Sequence, residues 1–440
     1  MKRPRVTPGP VPTLAAAWLA TRALMLWLLT RSAEPWLGGG SVTREVSRLY
    51  FHWYGVLSNG AFPTRDTMWQ YPPGAGPVLL APGALPGLDY LQGFVTLVLV
   101  TDALITVLLV AAARRPGRSL AGAALWTGGL PLLLHIPLAR YDVQVTALAV
   151  LCLLALGRSP RLGGVFGALG ALVKVWPALA LLGVPRGRAT RTAWTWSLGA
   201  GCAALALLAV LFSDPLSFLG EQGGRGVQIE SLGGTLLNLA RHAGWPVLVR
   251  YQYGATELVG PGVRTVAGIS LALTAAVFGL LVLWRLRARR WNPATPYDTA
   301  LTAVLLFTVT SRVISPQYLV WLLGLAAVCL TSRHTSQRPV AVLVLAATAL
   351  SSLVFPVFYG EVTGGSWTGG LLALARVGLL VAAAAWSFVR LWRSTRPAPR
   401  PPVPTPAPAT APAPGAAPAP ASAEARAGSD RLPERPLSIS

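Results

Sequence analysis

Apolar residues along this chain come in blocks of roughly 15 to 24, the length needed to cross a bilayer, separated by short polar or basic segments. Ten blocks fall at 11–30, 91–113, 119–138, 143–157, 193–212, 265–284, 298–311, 318–331, 339–357 and 368–391. Each predicts a membrane helix. An eleventh block, "LGGVFGALGALVKVWPALALLG" (162–183), has "GRSPR" before it and "PRGRATR" after it. Arginine clusters mark the cytoplasmic side, so this block is expected to enter and return, broken near Lys174 to Pro177. Such breaks are tolerated where they line a polar cavity. The pattern predicts an all-α, polytopic transmembrane bundle of about ten spans plus a re-entrant or short-helix hairpin.

The first block resembles a signal peptide but is too long, and it reads as an uncleaved first span. Residues 1–395 are expected to form one transmembrane domain with outer loops at 31–88 and 213–262. Residues 396–440 form a Pro/Ala-rich stretch expected to be a disordered cytoplasmic tail. Both termini then lie in the cytoplasm, in a multi-pass protein of the cell membrane.

Composition supports the membrane reading. Of 440 residues, 53% are hydrophobic and 12% charged, about half the charge of a soluble domain. The 37 basic residues exceed the 15 acidic ones, for a net charge of +22. All but Lys2 and Lys174 of the basic residues are Arg, clustered between apolar blocks, which suits the lipid bilayer and excludes nucleic acid as a partner. Cys152, Cys202 and Cys329 lie apart inside apolar blocks and suggest neither disulfide nor metal. His52, His135, His242 and His334 lack paired ligand spacing. No metal site and no cofactor is predicted, and a divalent ion is not expected to be required.

The candidate chemistry falls on one side of the predicted topology. Glu45, His52, Asp66, His135, Arg140, Asp142, Arg225, Glu230, Arg312 and Gln317 all lie in outer loops or at outer ends of spans, which points to a polar cavity opening outward. The 31–88 loop adds six aromatics from Tyr50 to Trp69 and a rigid "YPP" turn at Tyr71. A carboxylate can activate a hydroxyl, and Arg or Lys can take up the charge of a departing phosphate. Aromatics can cover apolar sugar faces. Together these would move a sugar from a lipid phosphate. Arg22 and Asp102 stand near the middle of the first two spans and are expected to neutralise each other.

Five segments occur in order: "EVSRLYFHWYGVLSNGAFPTRDTMWQYPPG" (45–74), "PLARYDVQVTAL" (137–148), "GGVFGALGALVKVWPALALL" (163–182), "RGVQIESL" (225–232) and "SPQYLVWLL" (315–323). In this the chain resembles, over about residues 11–392, membrane glycosyltransferases of the GT-C superfamily. The nearest pattern is that of the polyprenyl-phosphate-mannose-dependent α-mannosyltransferases of family 87. The resemblance implies a GT-C-like fold, a polyprenyl-phosphate-linked donor and inversion at the anomeric carbon. It also implies a carboxylate base early in the first outer loop. That position is Glu45, where the family usually has Asp, and the departure leaves Asp66 as the alternative base. Arg140 and Lys174 are expected to stabilise the leaving phosphate. Asp142, Arg225, Glu230, Arg312, Gln317 and Tyr71 complete the candidate substrate-binding set.

The expected activity is transfer of mannose from a polyprenyl phosphate to a hydroxyl of a glycan or glycolipid acceptor on the outer face. Transfer of another lipid-linked sugar, such as arabinofuranose, is the nearest alternative. A transporter or flippase of lipid-linked precursors, or a non-catalytic subunit of an envelope-assembly complex, are the rivals of other classes. A transporter would favour two related halves, and no such repeat is visible.

Overall fold

A computed structural model describes residues 9–222 and 225–396. The expected disordered tail lies outside the described residues, apart from Arg396 at its first position. The described chain is a helix bundle: α1 (Pro10–Thr30), α2 (Tyr90–Ala113), α3 (Ala121–Gly129), α4 (Asp142–Leu156), α5 (Pro160–Val173), α6 (Arg188–Leu211), α7 (Val263–Arg287), α8 (Thr295–Thr310), α9 (Tyr318–Leu330), α10 (Arg338–Ser352) and α11 (Trp367–Ser394). Six helical segments are long and apolar enough to cross a membrane: α1, α2, α6, α7, α10 with its continuation to Val357, and α11. The remaining spans are shorter. At 1.5 Å per residue, 13- to 16-residue helices reach only about 20–24 Å, against a hydrocarbon layer of about 30 Å.

Length and position go together. The short helices α8 and α9 are buried along nearly their whole length, as expected of helices apolar on every side. The long helices α6 and α7 stand at the periphery, with few buried positions. Small residues let the central helices approach. A Cβ on Gly122 of α3 would stand 2.2 Å from the Ala327 carbonyl oxygen of α9, and one on Gly324 would stand 2.2 Å from Thr146 Cγ2 of α4. Because α4, α5, α8 and α9 stop short at the same end, they leave a hollow there.

The Arg-flanked block behaves as its flanks predict. Helix α5 ends at Val173, Lys174 is extended (φ −150°, ψ 139°), and a 3₁₀ segment resumes at Trp176–Gly183. The "YPPG" turn docks on this break: the Gly74 amide donates to the Leu172 carbonyl at 2.8 Å. A Cβ on Gly74 would come within 2.6 Å of the Leu172 backbone, so the turn requires glycine there. Arg22 and Asp102 meet as expected, with Nε–Oδ2 and Nη2–Oδ1 both at 2.7 Å. The Trp126 indole and the Thr127 carbonyl complete the cluster.

One element was not anticipated. The 213–262 segment contains a small antiparallel sheet of β1 (Val227–Gln228), β2 (Leu248–Gln252) and β3 (Ala255–Val259), ordered β1-β3-β2. Tyr253 and Gly254 connect β2 to β3 with φ of +52° and +69°, the two positive angles of a tight type I′ hairpin.

Candidate active site

A cavity of about 1540 Å³ occupies the hollow above the short helices. Six chain segments build most of its walls: the 31–88 loop, the 136–140 stretch, the break at Lys174, the sheet with its preceding loop, the 311–318 turn and the 355–361 stretch. Residues 41–58 are helical throughout, with a π turn over Glu45–Tyr50. Such turns re-aim side chains and recur at functional sites. Here the turn begins at Glu45, which faces the cavity.

Glu45 Oε2 lies 2.6 Å from Arg140 Nη2, and Glu45 Oε1 accepts from the Tyr50 hydroxyl at 3.1 Å. A carboxylate has about four acceptor sites, so each oxygen keeps one open. Arg140 is itself fixed on several sides. Its Nε donates to Gln317 Oε1 at 3.1 Å, and its Nη1 donates to the carbonyls of Val42 and Ala139. Ser315 also donates to Gln317 Oε1. The Arg140–Gln317 contact thus ties the start of α4 to the 311–318 turn.

Beside this pair stands Lys174. Its ammonium lies 2.5 Å from Asp142 Oδ1 and within 4.6, 5.0 and 5.9 Å of the Tyr141, Trp321 and Tyr71 ring centroids. Trp321 also donates its indole N–H to Asp142 Oδ1. Asp142 is fully buried, while Lys174 touches the cavity. The carboxylate offsets the cost of holding an ammonium at that depth, and the rings face it with their electron-rich surfaces.

The far wall carries Arg225, Glu230 and Arg312, all lining the cavity. Glu257, buried in β3, accepts from Arg225 Nε, the Gly226 amide and Gln252. Arg312 Nη1 donates to the Arg225 carbonyl. Burial and the neighbouring Arg225 hold the Arg312 guanidinium below its ordinary pKa, with Glu257 opposing. Burial, then the Glu45 carboxylate, lifts the Tyr251 phenol above its usual value. Glu230 is bound to Arg376 Nη1 at 2.6 Å.

Of the residues picked out in the sequence, Glu45, Tyr71, Arg140, Lys174, Arg225, Glu230, Arg312 and Gln317 all line one cavity. Asp142 sits directly behind Lys174. Asp66 is elsewhere: it does not line the cavity, its Oδ2 accepts from the Trp53 indole at 2.7 Å, and its Oδ1 accepts from the Met68 amide at 2.9 Å. Arg44 and Arg48 line the cavity beside Glu45 and had not been singled out. Their spacing around Glu45 on a helical segment was the available signal. Arg376 and Glu257 were also missed. Arg376 stands inside an apolar block, where a charge by itself signals a role, whereas nothing marks Glu257. Among the described residues, no group of three or more His, Cys, Asp or Glu is placed to hold a metal ion.

The cavity can therefore present a carboxylate with open acceptor positions, surrounded by an excess of guanidinium and ammonium groups, at one end of a membrane bundle. That is equipment for activating a hydroxyl beside a departing anion. No curated protein sequence matches the chain. The sequence model of glycosyltransferase family 87 matches residues 69–316, more than half of the chain, and that segment holds Arg140, Lys174, Arg225, Glu230 and Arg312, with Glu45 preceding it. The chain belongs to glycosyltransferase family 87.

Proposed function

We propose that this glycosyltransferase moves a mannosyl residue from a polyprenyl phosphate to a hydroxyl of a glycan or glycolipid, with inversion, at the outer face of the cell membrane. The observation that carries the reading is the Glu45–Arg140 contact at 2.6 Å on the wall of a cavity that also holds Lys174. Inversion by direct displacement needs one base and one leaving-group stabiliser, and no covalent nucleophile. The acceptor hydroxyl gives its proton to Glu45 as its oxygen bonds the anomeric carbon. The bond from that carbon to the phosphate oxygen breaks, and the electron pair leaves with the phosphate. Arg140, Lys174 and the cavity arginines receive the charge gained.

Position supports the donor class. The cavity lies at one end of a membrane bundle, where a lipid phosphate can enter from the bilayer while its sugar meets polar walls. Phe307, Phe355 and Phe358 supply an apolar part of the lining. In the proposed orientation both termini are cytoplasmic. The reaction uses no divalent ion.

The test is transfer from radiolabelled polyprenyl-phosphate-mannose to endogenous acceptors, in membranes lacking the native protein and supplemented with the full chain. Labelled polyprenyl-phosphate-arabinofuranose runs in parallel. Transfer from the mannose donor supports the proposal. Transfer from the arabinofuranose donor alone keeps the reaction class and replaces the sugar. Transfer from neither rejects the donor assignment.

A further inference from the structure

A second, smaller cavity of about 280 Å³ lies at the opposite end of the bundle, between the C-terminal ends of α7 and α11. Helix α7 begins just after the sheet that walls the large cavity and runs 25 residues, about 37 Å. The two cavities are thus separated by the thickness of a bilayer.

Three arginines line the small cavity, Arg287, Arg289 and Arg396, together with Trp284 and Trp392. No ion pair or side-chain hydrogen bond is made by any of the three guanidiniums among the described residues. Arg396 only stacks over Trp392, at 5.3 Å. No Asp or Glu lines the space. The buried cations of the chain are held by carboxylates: Arg22, Arg140, Lys174 and Arg376 each have one, as does the largely buried Arg225. Arg44 and Arg48 also line the large cavity without an ion pair among the described residues, but there Glu45 and Glu230 share the lining, whereas the small hollow holds three guanidiniums and no carboxylate.

The hollow has a fixed frame. Thr395 is buried at its base and accepts from the Arg289 and Arg290 amides through its carbonyl, and from the Trp284 indole through its hydroxyl, all at 3.0 Å. Trp284 packs with Ala288 and Leu391. The arginines thus project from two helix ends locked together, beside the partly exposed Trp392 indole, a side chain of the kind that settles at the headgroup level.

We propose that this cavity binds the phosphate group of an anionic lipid headgroup in the leaflet opposite the active site. Three guanidinium forks provide charge-assisted, bidentate donors that match phosphate oxygens. Trp392, partly exposed, stands beside the forks, with Trp284 buried beneath them. The site does not depend on the sugar assignment.

The experiment uses the full chain in a neutral detergent and follows its thermal unfolding temperature. Short-chain phosphatidylglycerol is compared with the matching phosphatidylcholine and with inorganic phosphate. Phosphatidylglycerol is expected to raise the unfolding temperature of the wild type and to lose most of that shift in Arg287→Gln/Arg289→Gln/Arg396→Gln. A control, Arg114→Gln/Arg158→Gln/Arg188→Gln, removes three exposed arginines that do not line the cavity and is expected to keep the shift. Equal loss in both triple variants would reduce the effect to diffuse surface charge and overturn the proposal, as would a full shift in the cavity variant. A shift of the same size with inorganic phosphate would give the site to soluble phosphate and overturn the lipid assignment.

Discussion

Glu45 and Arg140, from the first large loop and the start of α4, meet at 2.6 Å with the arginine side chain almost fully buried. Arg140 gives three more of its five donors to Gln317 and to two backbone carbonyls, so its position is set by three chain segments at once while one Nη2 hydrogen is left for the phosphate. Arg140→Lys keeps the charge but loses the fork. It is expected to lower the transfer rate at least about tenfold, each factor of ten being ~1.4 kcal/mol. Initial rates at matched amounts of folded protein check this.

Lys174 and Asp142 form a buried pair in which each justifies the other. Lys174→Met leaves Asp142 charged and uncompensated, and should cost about 3–5 kcal/mol of stability. Lys174→Met/Asp142→Asn removes both charges while keeping an acceptor for the Trp321 indole. It should recover most of the stability yet remain inactive. Thermal unfolding in detergent, run beside the transfer assay, separates the two effects. A double variant with wild-type rate would remove Lys174 from the reaction.

The Arg22–Asp102 pair is expected to be purely structural. Asp102→Leu strands Arg22, which should lower the unfolding temperature by an amount corresponding to about 3–5 kcal/mol. The rate per folded molecule should stay within about twofold of wild type, a difference of ~0.4 kcal/mol.

Close packing of α3 on α9 gives a fourth expectation. Gly122→Leu would drive its side chain into the Ala327 carbonyl, a backbone atom that cannot swing away. Overpacking of this kind costs about 1–3 kcal/mol or more. Reduced yield of folded protein and a lower unfolding temperature are the readouts.

What the sequence could disclose follows from what membranes penalise. Charges inside apolar blocks are conspicuous, so Arg22 with Asp102, and Lys174 within its Arg-flanked block, stood out together with their need for partners. The helix break at Lys174 was legible for the same reason. Partner choice was not legible: Arg140 has Asp142 two residues away but bonds Glu45, while Asp142 turns to Lys174. Only the fold decides which carboxylate a guanidinium reaches. Arg376 carried the same intramembrane signal as Lys174, but its partner Glu230 lies in a distant loop segment. The sheet hid in a loop because two five-residue strands around Tyr253–Gly254 leave little periodic trace. The sequence put Glu45 ahead of Asp66 only through the family pattern, because the indole that occupies Asp66 comes from the fold.

The central claim is that Glu45 is the base, and one comparison tests it most directly. Initial rates of mannosyl transfer would be measured for Glu45→Gln and Asp66→Asn, each normalised to folded protein. The account predicts that Glu45→Gln loses about 10²- to 10⁴-fold, the range for removing a general base. Asp66→Asn, which keeps an acceptor oxygen for Trp53, should stay near the wild-type rate. Transfer at full rate by Glu45→Gln, or its loss in Asp66→Asn alone, would contradict the account.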